Sequence, residues 1–386
     1  MARRDDRSGK TTHYRKRKQN KKRASIDFSL FTIVVFLVAF GLIMVYSAAA
    51  FQANPLRTLL KQVVASGLGF VVMIALAAID YHFVAKFVKY IFPLSLVTVL
   101  LVKTSLGITK NGATRWLDLK ITSFQPAEFV KLAVILTTAV AIVFVGNNIS
   151  TIKGFAFCMV WGAGSAILVA IVTNNMSSGF IIGLIASVMV FVASKNYIVY
   201  GGLASAAVVG VGGYVYYIDK ISTATGFRQE RVRAWLHPEA HVDDKSYQTL
   251  QALYSIGSGG FSGKGLGQSM QKVSRIPEAQ NDMIFSIVCE ELGLMGAVAI
   301  LALFGLLCWR CYENACNAKD KLGLLIATGV FAHFAIQVIL NIAVVTNVIP
   351  NTGISLPFIS DGGTSILFLL AEIGLVLNIS SQSSVE

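Results

Sequence analysis

The sequence predicts an all-α integral membrane protein, and two observations lead to this fold class. The 386 residues are 55% hydrophobic and only 14% charged, whereas a soluble domain carries about 25% charged residues. Apolar runs of about 20 residues, long enough to cross a bilayer as helices, recur along the chain. We therefore expect one polytopic membrane domain over residues 26–386, behind a basic tail at residues 1–25.

Ten apolar runs are the predicted transmembrane helices. They lie near residues 29–50, 60–79, 90–107, 127–145, 155–173, 179–194, 198–218, 284–309, 322–348 and 364–380. The first run is too long for the core of a signal peptide and should stay in the membrane. An even number of spans places both termini on one side of the bilayer.

Positive charge is concentrated at the amino-terminal end. The formal net charge is +13, and residues 1–23 contain eleven Lys or Arg against two Asp. This tail and the basic short loops on the same side indicate cytoplasmic termini by the positive-inside rule. We expect the tail to be disordered. We expect no nucleic acid partner, because no folded reader or interleaved aromatic residues accompany the charge.

Residues 219–283 form a long loop between the seventh and eighth spans, which this topology places outside the cell. Two clusters, Phe227 to Leu236 and Tyr247 to Ile256, mix apolar and charged residues at helical spacing, as interfacial helices do. We expect the loop to lie on the membrane rather than to fold as a separate domain.

A first group of polar residues lies around the start of the fourth span. Arg115 and Trp116 precede Gln125, and Glu128 and Lys131 lie three residues apart on one helical face. An ionisable pair inside the membrane boundary is costly unless it faces a polar cavity or its own partner. One interpretation is a structural ion pair. The other is that Arg115 and Lys131 bind a phosphorylated lipid head group.

A glycine-rich segment at residues 257–267 forms the second group. It lacks the glycine spacing and the Ser or Thr of a phosphate-binding P-loop. The segment is either a hairpin whose glycines permit close approach of backbones or a main-chain cradle for a diphosphate.

Acidic residues at the start of the eighth span form the third group. Asp282 lies at the membrane boundary, where it could act as a general base or cap the helix. Glu291 lies about two turns deeper and is either a satisfied structural acid or a residue that supports the site.

A fourth segment, residues 351–365, interrupts two apolar runs with Pro, Gly and hydroxyl residues and contains Ser360 and Asp361. Such irregular backbone at membrane depth survives only where it is buried in protein or lines a cavity. The cysteines and histidines show no disulfide or metal pattern. His333, alone in a span, is more typical of a satisfied core residue than of a ligand.

Together these groups resemble the SEDS family (shape, elongation, division and sporulation). The resemblance rests on Arg115-Trp116 with Gln125-Pro126, Glu128 and Lys131, on the run from Ser255 to Lys272, on Pro277 to Phe285 with Glu290 to Gly293, and on Leu356 to Ser360 with Gly362-Gly363. It covers residues 28–380 with the motifs in family order. The basic tail and Phe358 to Ser360 favour the FtsW division branch over the RodA elongation branch.

The resemblance implies a ten-span glycosyltransferase of the bacterial cytoplasmic membrane. Its substrate would be lipid II, an undecaprenyl-diphosphate-linked disaccharide-pentapeptide, polymerised with inversion on the outer face. The implied partners are a monofunctional class B penicillin-binding protein and other membrane proteins of the divisome or elongasome.

Asp282 occupies the position of the family's essential acid and would deprotonate the acceptor 4-hydroxyl. Arg115, Lys131 and Lys272 would stabilise the departing diphosphate, with or without a divalent cation, Mg²⁺ or Mn²⁺. The same motifs make Trp116, Gln125, Glu128 and Ser360 substrate-binding candidates.

The chain departs from the family pattern at three places. Residues 174–178 replace a Pro-Asp-Leu-Gly-Thr turn, Gln280 and Asn281 replace His-Thr, and Asp361 replaces a Tyr. Asp361 would share the titration of Asp282 if the two carboxylates are close. A lipid II transporter and a non-catalytic divisome scaffold are the alternative functions.

Overall fold

The computed structural model describes residues 26–50, 54–110, 113–118, 123–194, 197–220, 227–238, 244–271 and 279–383. The predicted disordered tail at residues 1–25 lies outside the described residues.

Helices occupy all ten predicted spans. In chain order they are α1 (Phe28–Ala49), α2 (Pro55–Ala78), α3 (Tyr81–Lys86), α4 (Val88–Leu101), α5 (Pro126–Val145), α6 (Ile152–Val172), α7 (Met176–Ser194), α8 (Tyr197–Lys220), α9 (Phe227–Leu236), α10 (Asp244–Gly259), α11 (Ile284–Cys316), α12 (Lys321–Val345) and α13 (Ser365–Gln382). Eight helices within the described ranges are long and apolar enough to cross a membrane, and α4 is a shorter apolar helix. The prediction of an all-α membrane protein is confirmed.

Burial divides the helices into a centre and a periphery. Most residues of α5, α12 and α13 are buried. The peripheral helices α1, α2 and α6 instead expose large apolar side chains such as Phe36, Val71 and Ile171. Outward apolar surface of this kind is what the hydrocarbon of a bilayer accommodates.

The first and last helices meet at one end of the bundle, here called the terminal end. The backbone N–H of Asp27 donates to Ser380 Oγ (3.1 Å), and the Asp27 side chain caps α1 at the N–H of Leu30. Arg310, near the end of α11, pairs with the Asp27 carboxylate at 2.8 Å. The start of α1 and the end of α13 therefore lie together.

A second polar cluster at the terminal end joins the α2–α3 connection to the start of α12. The His82 imidazole lies 2.7 Å from Asp80 Oδ1 through Nδ1 and 2.7 Å from Asp320 Oδ2 through Nε2. The Tyr81 hydroxyl donates to the other oxygen of Asp320 (2.8 Å). Burial opposes a charged imidazole, but the hydrogen bonds to the two aspartates outweigh it and raise the pKa of His82.

The opposite end, here called the loop end, carries a small antiparallel sheet that we did not predict. Its strands are β1 (Gly107–Lys110), β2 (Ala113–Asp118) and β3 (Ser123–Phe124), in the order β1-β2-β3. The third predicted span, 90–107, is thus too long, because the helix ends at Leu101 and the Ile and Thr residues of β1 pair with β2. The sheet carries the chain from α4 into α5.

The longest helix, α11, is broken near its start by Gly293, which has φ 68° and ψ −166°. The glycine-rich segment packs into this break. The N–H groups of Lys264 and Gly265 donate to the carbonyls of Glu290 and Glu291, both at 2.9 Å. The close-approach interpretation of the glycines is therefore confirmed, since these N–H groups are bonded to protein carbonyls.

The helical clusters predicted in the long loop are confirmed as α9 and α10. The first has the predicted bounds, and the second extends beyond them on both sides. The Ser255 hydroxyl of α10 donates to the carbonyl of Ser286 in α11 (2.9 Å). Helix α10 therefore packs against the start of α11.

Candidate functional site

Asp282 lies at the loop end, immediately before α11. The residue at the N-cap position is Met283, so Asp282 is not the helix cap that its position in the sequence allowed. Gln248 Nε2 of α10 donates to Asp282 Oδ1 at 3.3 Å. A Cβ atom on Gly353 would lie 3.6 Å from Asp282 Oδ2, and this glycine has a positive φ. The carboxylate therefore lies between α10 and the segment after α12.

The backbone of Asp282 is fixed by α12. Asn341 Nδ2 donates to the carbonyl of Asp282 (2.9 Å) and to the carbonyl of Ile354 (2.6 Å). One buried amide thus joins the third and fourth predicted segments. Ile354, Leu356 and Phe358 are buried, so the central part of this irregular segment lies inside protein, whereas Gly353 is exposed.

Two guanidinium groups lie in the electrostatic field of Asp282. Arg115 of β2 donates to the carbonyl of Asn174 (3.3 Å), and Arg231 of α9 donates to the carbonyl of Asn351 (3.3 Å). Burial and the neighbouring Arg231 lower the pKa of Arg115, whereas the Asp282 carboxylate opposes both effects. Burial likewise lowers the pKa of Arg231, again opposed by Asp282. Two desolvated cations beside one carboxylate form a region that favours an additional anion.

The turn that departs from the family pattern takes part in this arrangement. Asn174 adopts a positive φ of 50° and presents its carbonyl to Arg115. Ser177, at the start of α7, donates to the carbonyl of Thr352 (2.8 Å). The substituted residues therefore hold β2 and the segment after α12 together.

The neighbouring candidates Ser360 and Asp361 have different environments. Ser360 is buried, and its hydroxyl accepts the N–H of Leu356 (2.8 Å), which closes a turn. The N–H of Asp361 donates to the carbonyl of Gln280 (2.9 Å), two residues before Asp282. The two acidic residues thus lie on adjoining segments, while Ser360 supports the turn.

Trp116 and Gln125 lie on the sheet side of the site. Trp116 is paired with Ile108 across the β1–β2 ladder. The backbone N–H of Gln125 donates to Thr364 Oγ1 (3.3 Å), and its side-chain Oε1 accepts from the Ser365 hydroxyl (3.4 Å). Both residues are partly exposed, and Gln125 joins the start of α5 to the start of α13.

Glu128 and Lys131 form the predicted ion pair inside the bundle. Lys131 Nζ lies 2.6 Å from Glu128 Oε1, and the two side chains are 2% and 5% exposed. Lys131 Nζ also donates to Gln337 Oε1 of α12 (2.8 Å). Gln337 Nε2 in turn donates to the carbonyl of Ser355 (3.1 Å). The pair therefore supports the backbone that adjoins Asp282.

Glu291 and its neighbour Glu290 are fully buried beside the glycine-rich segment. Ser47 of α1 donates to Glu291, with its hydroxyl 2.7 and 2.8 Å from the two carboxylate oxygens. Glu290 accepts from Lys264 Nζ (2.7 Å) and from the Ser269 hydroxyl, and its Oε2 shares the proton of the Ser255 hydroxyl with the carbonyl of Ser286. The structure thus favours Glu291 as a satisfied structural acid, below the site rather than in it.

The remaining candidate, Lys272, lies outside the described residues. Our sequence reasoning did not identify Arg231 or Gln248 as residues of the site. The two helical clusters predicted in the loop could have pointed to these residues, because a polar or basic residue on an interfacial helix can face the protein instead of solvent. Within the described ranges, no three His, Cys, Asp or Glu side chains converge as metal ligands.

Comparison with known proteins gives a consistent result. Residues 28–385 match a family model for FtsW, RodA and SpoVE, described as cell cycle protein. Stage V sporulation protein E of Bacillus subtilis (strain 168) is 35% identical over 373 residues, which cover 94% of this chain and 99% of that protein. A protein of Trichlorobacter lovleyi named "Probable peptidoglycan glycosyltransferase FtsW" is 33% identical over 367 residues, covering 93% of this chain and 94% of that protein.

A solved structure is similar over most of the chain. It is described as "Structural coordination of polymerization and crosslinking by a peptidoglycan synthase complex". The TM-score is 0.75 at 26% identity, and the superposition covers 92% of this chain and 97% of that one.

Proposed function

Because the chain belongs to the FtsW, RodA and SpoVE family of cell cycle proteins, we propose that it is a peptidoglycan glycosyltransferase that polymerises lipid II. Relatives named as peptidoglycan glycosyltransferases match it over nearly their whole length. The chain is a multi-pass membrane protein, which suits a donor anchored in the bilayer by its undecaprenyl chain.

The observation that carries this proposal is the position of Asp282 beside Arg115 and Arg231. A polymerase of lipid II needs a base for the acceptor hydroxyl and cations for the departing diphosphate. Asp282 supplies a carboxylate at the loop end, and both guanidinium groups lie within its field. These side chains come from three separate parts of the chain, and only the fold brings the two arginines within the electrostatic field of Asp282.

In the proposed reaction Asp282 acts as the general base. Its carboxylate takes the proton of the acceptor 4-hydroxyl, and the 4-oxygen forms a bond to the anomeric carbon of the donor. The bond from that carbon to the diphosphate oxygen breaks, and the lipid diphosphate leaves with the electron pair. A single displacement inverts the anomeric centre. A positioned base of this kind contributes about 10²- to 10⁴-fold to the rate.

Arg115 and Arg231 bind the diphosphate and stabilise the negative charge that develops on it. Planar guanidinium groups suit phosphate oxygens because they donate in a fixed, bidentate geometry. Loss of one such donor in a preorganised site typically costs about 10²- to 10³-fold in kcat. Trp116, next to Arg115 in β2, and Gln125, immediately before α5, would contact the sugar portion of the substrate.

Lys131 and Glu128 serve this site from within the bundle. A direct contact of Lys131 with diphosphate would require its ammonium group to leave Glu128 and Gln337. We therefore assign the pair to holding the Ser355 backbone. Lys272, in the long loop, is the remaining candidate for a cationic donor.

A divalent cation, Mg²⁺ or Mn²⁺, is compatible with the site when the substrate supplies ligands. Mg²⁺ is commonly bound by one or two protein carboxylates together with substrate phosphates. Asp282 is the side chain that would hold it here. The cation would neutralise charge on the leaving diphosphate.

We further propose that the loop end faces the outside of the cell and the terminal end faces the cytoplasm. The basic amino-terminal segment precedes α1, whose start lies at the terminal end with the end of α13. A class B penicillin-binding protein would cross-link the product. The similar chain in a complex described for polymerization and crosslinking supports this partner.

The decisive experiment measures polymerisation of lipid II by purified protein, with and without a class B penicillin-binding protein whose transpeptidase is inactivated. Asp282→Asn is the test variant, and Asp361→Asn is the matched control on the adjoining segment. We expect glycan ladders from the native protein and the control, and none from a folded, partner-binding Asp282→Asn variant.

Other results would reassign the function or the base. Equal ladders from native protein and Asp282→Asn, with loss in Asp361→Asn, would make Asp361 the base. Absence of ladders even with the partner, combined with movement of lipid II across liposomes, would favour a transporter. Absence of both activities would favour a non-catalytic scaffold of the divisome.

A further inference from the structure

The ion pair of Lys131 continues into a chain of buried polar side chains that the proposed reaction does not use. His333, at the middle of α12, lies with Nε2 2.8 Å from Gln337 Oε1 and with Nδ1 2.7 Å from Glu372 Oε2 of α13. His333 is 1% exposed, and Glu372 is fully buried. Two titratable groups in the interior of a membrane bundle are costly, so their presence calls for an explanation.

The orientation of the Gln337 amide is determined by two of its neighbours. The carbonyl of Ser355 can only accept a hydrogen bond, so it must face the NH₂ group, Nε2. The Lys131 ammonium group can only donate, so it must face the oxygen, Oε1. Both requirements give the same orientation. His333 Nε2 therefore faces an oxygen and must carry a proton.

The number of protons on the His333–Glu372 pair follows from this tautomer. With Nε2 protonated, the 2.7 Å contact between Nδ1 and Glu372 Oε2 needs one proton between them. That proton resides either on the imidazole, giving an ion pair, or on the carboxyl group, giving two neutral partners. Both states leave the pair with no net charge, which a buried site strongly favours.

We propose that His333 and Glu372 are positioning residues that share one proton and thereby hold Gln337 in the orientation the site needs. If the proton is lost, the Glu372 carboxylate draws the remaining imidazole proton to Nδ1. The lone pair of Nε2 then faces Gln337 Oε1, and the two acceptors repel each other. Gln337 must turn, and its bonds to Lys131 and Ser355 are lost together.

The consequence reaches Asp282 through the backbone after α12. Ser355 lies two residues beyond Gly353, which adjoins the Asp282 carboxylate. Asn341, one helical turn from Gln337 on α12, holds the carbonyls of Asp282 and Ile354. Gln337 and Asn341 therefore hold neighbouring residues of one segment, Ser355 and Ile354. If the Gln337 amide rotates, the bond to Ser355 is lost and only the bond from Asn341 remains.

Two substitutions of Glu372 separate positioning from simple packing. Glu372→Gln keeps a donor toward Nδ1 and so preserves the Nε2–H tautomer without a titratable proton. Glu372→Met has similar size but leaves Nδ1 buried without a partner. Asn378→Ala is the control, because Asn378 also lies on α13 but bonds Tyr81 and Ala77 at the terminal end.

The first readout is polymerisation of lipid II, which rests on the proposed function. We expect kcat to fall about tenfold in Glu372→Met with KM changed less than twofold, and Glu372→Gln to restore kcat to within twofold of native. Asn378→Ala should lower the unfolding temperature without lowering kcat. The positioning role is refuted if kcat falls in Glu372→Met and in Asn378→Ala in proportion to the fall in unfolding temperature. It is also refuted if Glu372→Gln loses as much kcat as Glu372→Met.

The second readout does not depend on activity. Nitrogen NMR of ¹⁵N-histidine-labelled protein, with the His333 signals assigned by their loss in His333→Gln, reports which ring nitrogens carry protons. A protonated Nε2 with a hydrogen-bonded Nδ1 supports the shared proton, even if the protein does not polymerise lipid II. An unprotonated Nε2 overturns the inference, even if the protein is fully active.

Discussion

Replacement of Gly263 by Ala should separate the glycine-rich segment from the break in α11. A Cβ atom on Gly263 would lie 2.2 Å from the carbonyl oxygen of Glu291 and 2.6 Å from the N–H nitrogen of Gly293. Both obstacles are backbone atoms, which cannot swing aside as a side chain can. Gly263 also has a φ of 78°, which is unfavourable for alanine.

The magnitude follows from the hydrogen bonds that the segment must give up when it moves. Four backbone bonds join it to α11, donated by the N–H groups of Lys264, Gly265, Leu294 and Met295 at 2.9, 2.9, 3.0 and 3.2 Å. At about 1 kcal/mol net for each bond, their loss costs about 4 kcal/mol. The positive φ adds about 1 kcal/mol.

The assay is thermal unfolding of purified protein in detergent, read by the fluorescence of a thiol probe or by light scattering. Gly257→Ala is the matched control, because Gly257 lies within α10 and an added Cβ would meet no atom within 4 Å. We expect Gly263→Ala to unfold about 6 °C below the native protein and Gly257→Ala to unfold at or slightly above it. An unfolding temperature within 1 °C of native for Gly263→Ala would refute the reasoning.

Three further predictions test the ion pair, the second arginine and the terminal end. Lys131→Met should destabilise the fold by about 3–5 kcal/mol because it leaves Glu128 buried without its cation. The double variant with Glu128→Gln should recover most of the lost stability in thermal unfolding, and no recovery would contradict the pairing. Arg231→Gln should lower kcat for lipid II about 100-fold, with Arg231→Lys less impaired; unchanged rates for both would exclude a diphosphate contact. The pKa of His82 is raised in the folded protein, so protonated His82 stabilises the fold fully below about pH 6.5, and this stabilisation is lost as the pH rises through the pKa of the folded state. The unfolding temperature of the native protein should therefore fall over this pH range, and His82→Gln should remove the fall. An identical fall in the variant would show that His82 is not its source.

The transmembrane architecture was largely predictable because the signal is local. A helix that crosses a bilayer must be apolar over about 20 residues, and this can be counted without any knowledge of packing. The errors are at the ends. The predicted third span runs to residue 107, whereas the helix ends at Leu101 and a strand begins at Gly107.

The site was predictable in part. The spacing of Glu128 and Lys131 within one helix predicted their contact, which the structure contains. Asp282 and Arg115 were both candidates from their positions and from the family resemblance, but their mutual proximity was not derivable from either position. The sequence pattern of an interfacial helix identifies its apolar face but does not indicate what its polar face contacts. Arg231 and Gln248 were missed for this reason.

The sequence by itself determined the fold class, the approximate limits of the apolar helices and the candidate acid, because these depend on the hydrophobicity of contiguous residues and on short motifs. The tertiary structure alone decided which polar groups meet. Arg115, Arg231 and Asp282 lie far apart along the chain, as do His333 and Glu372, and only the tertiary fold brings the members of each group near one another. Burying an unpaired charge is costly, so each buried charged group needs a partner from another part of the chain. A local sequence pattern does not show which distant group that partner will be.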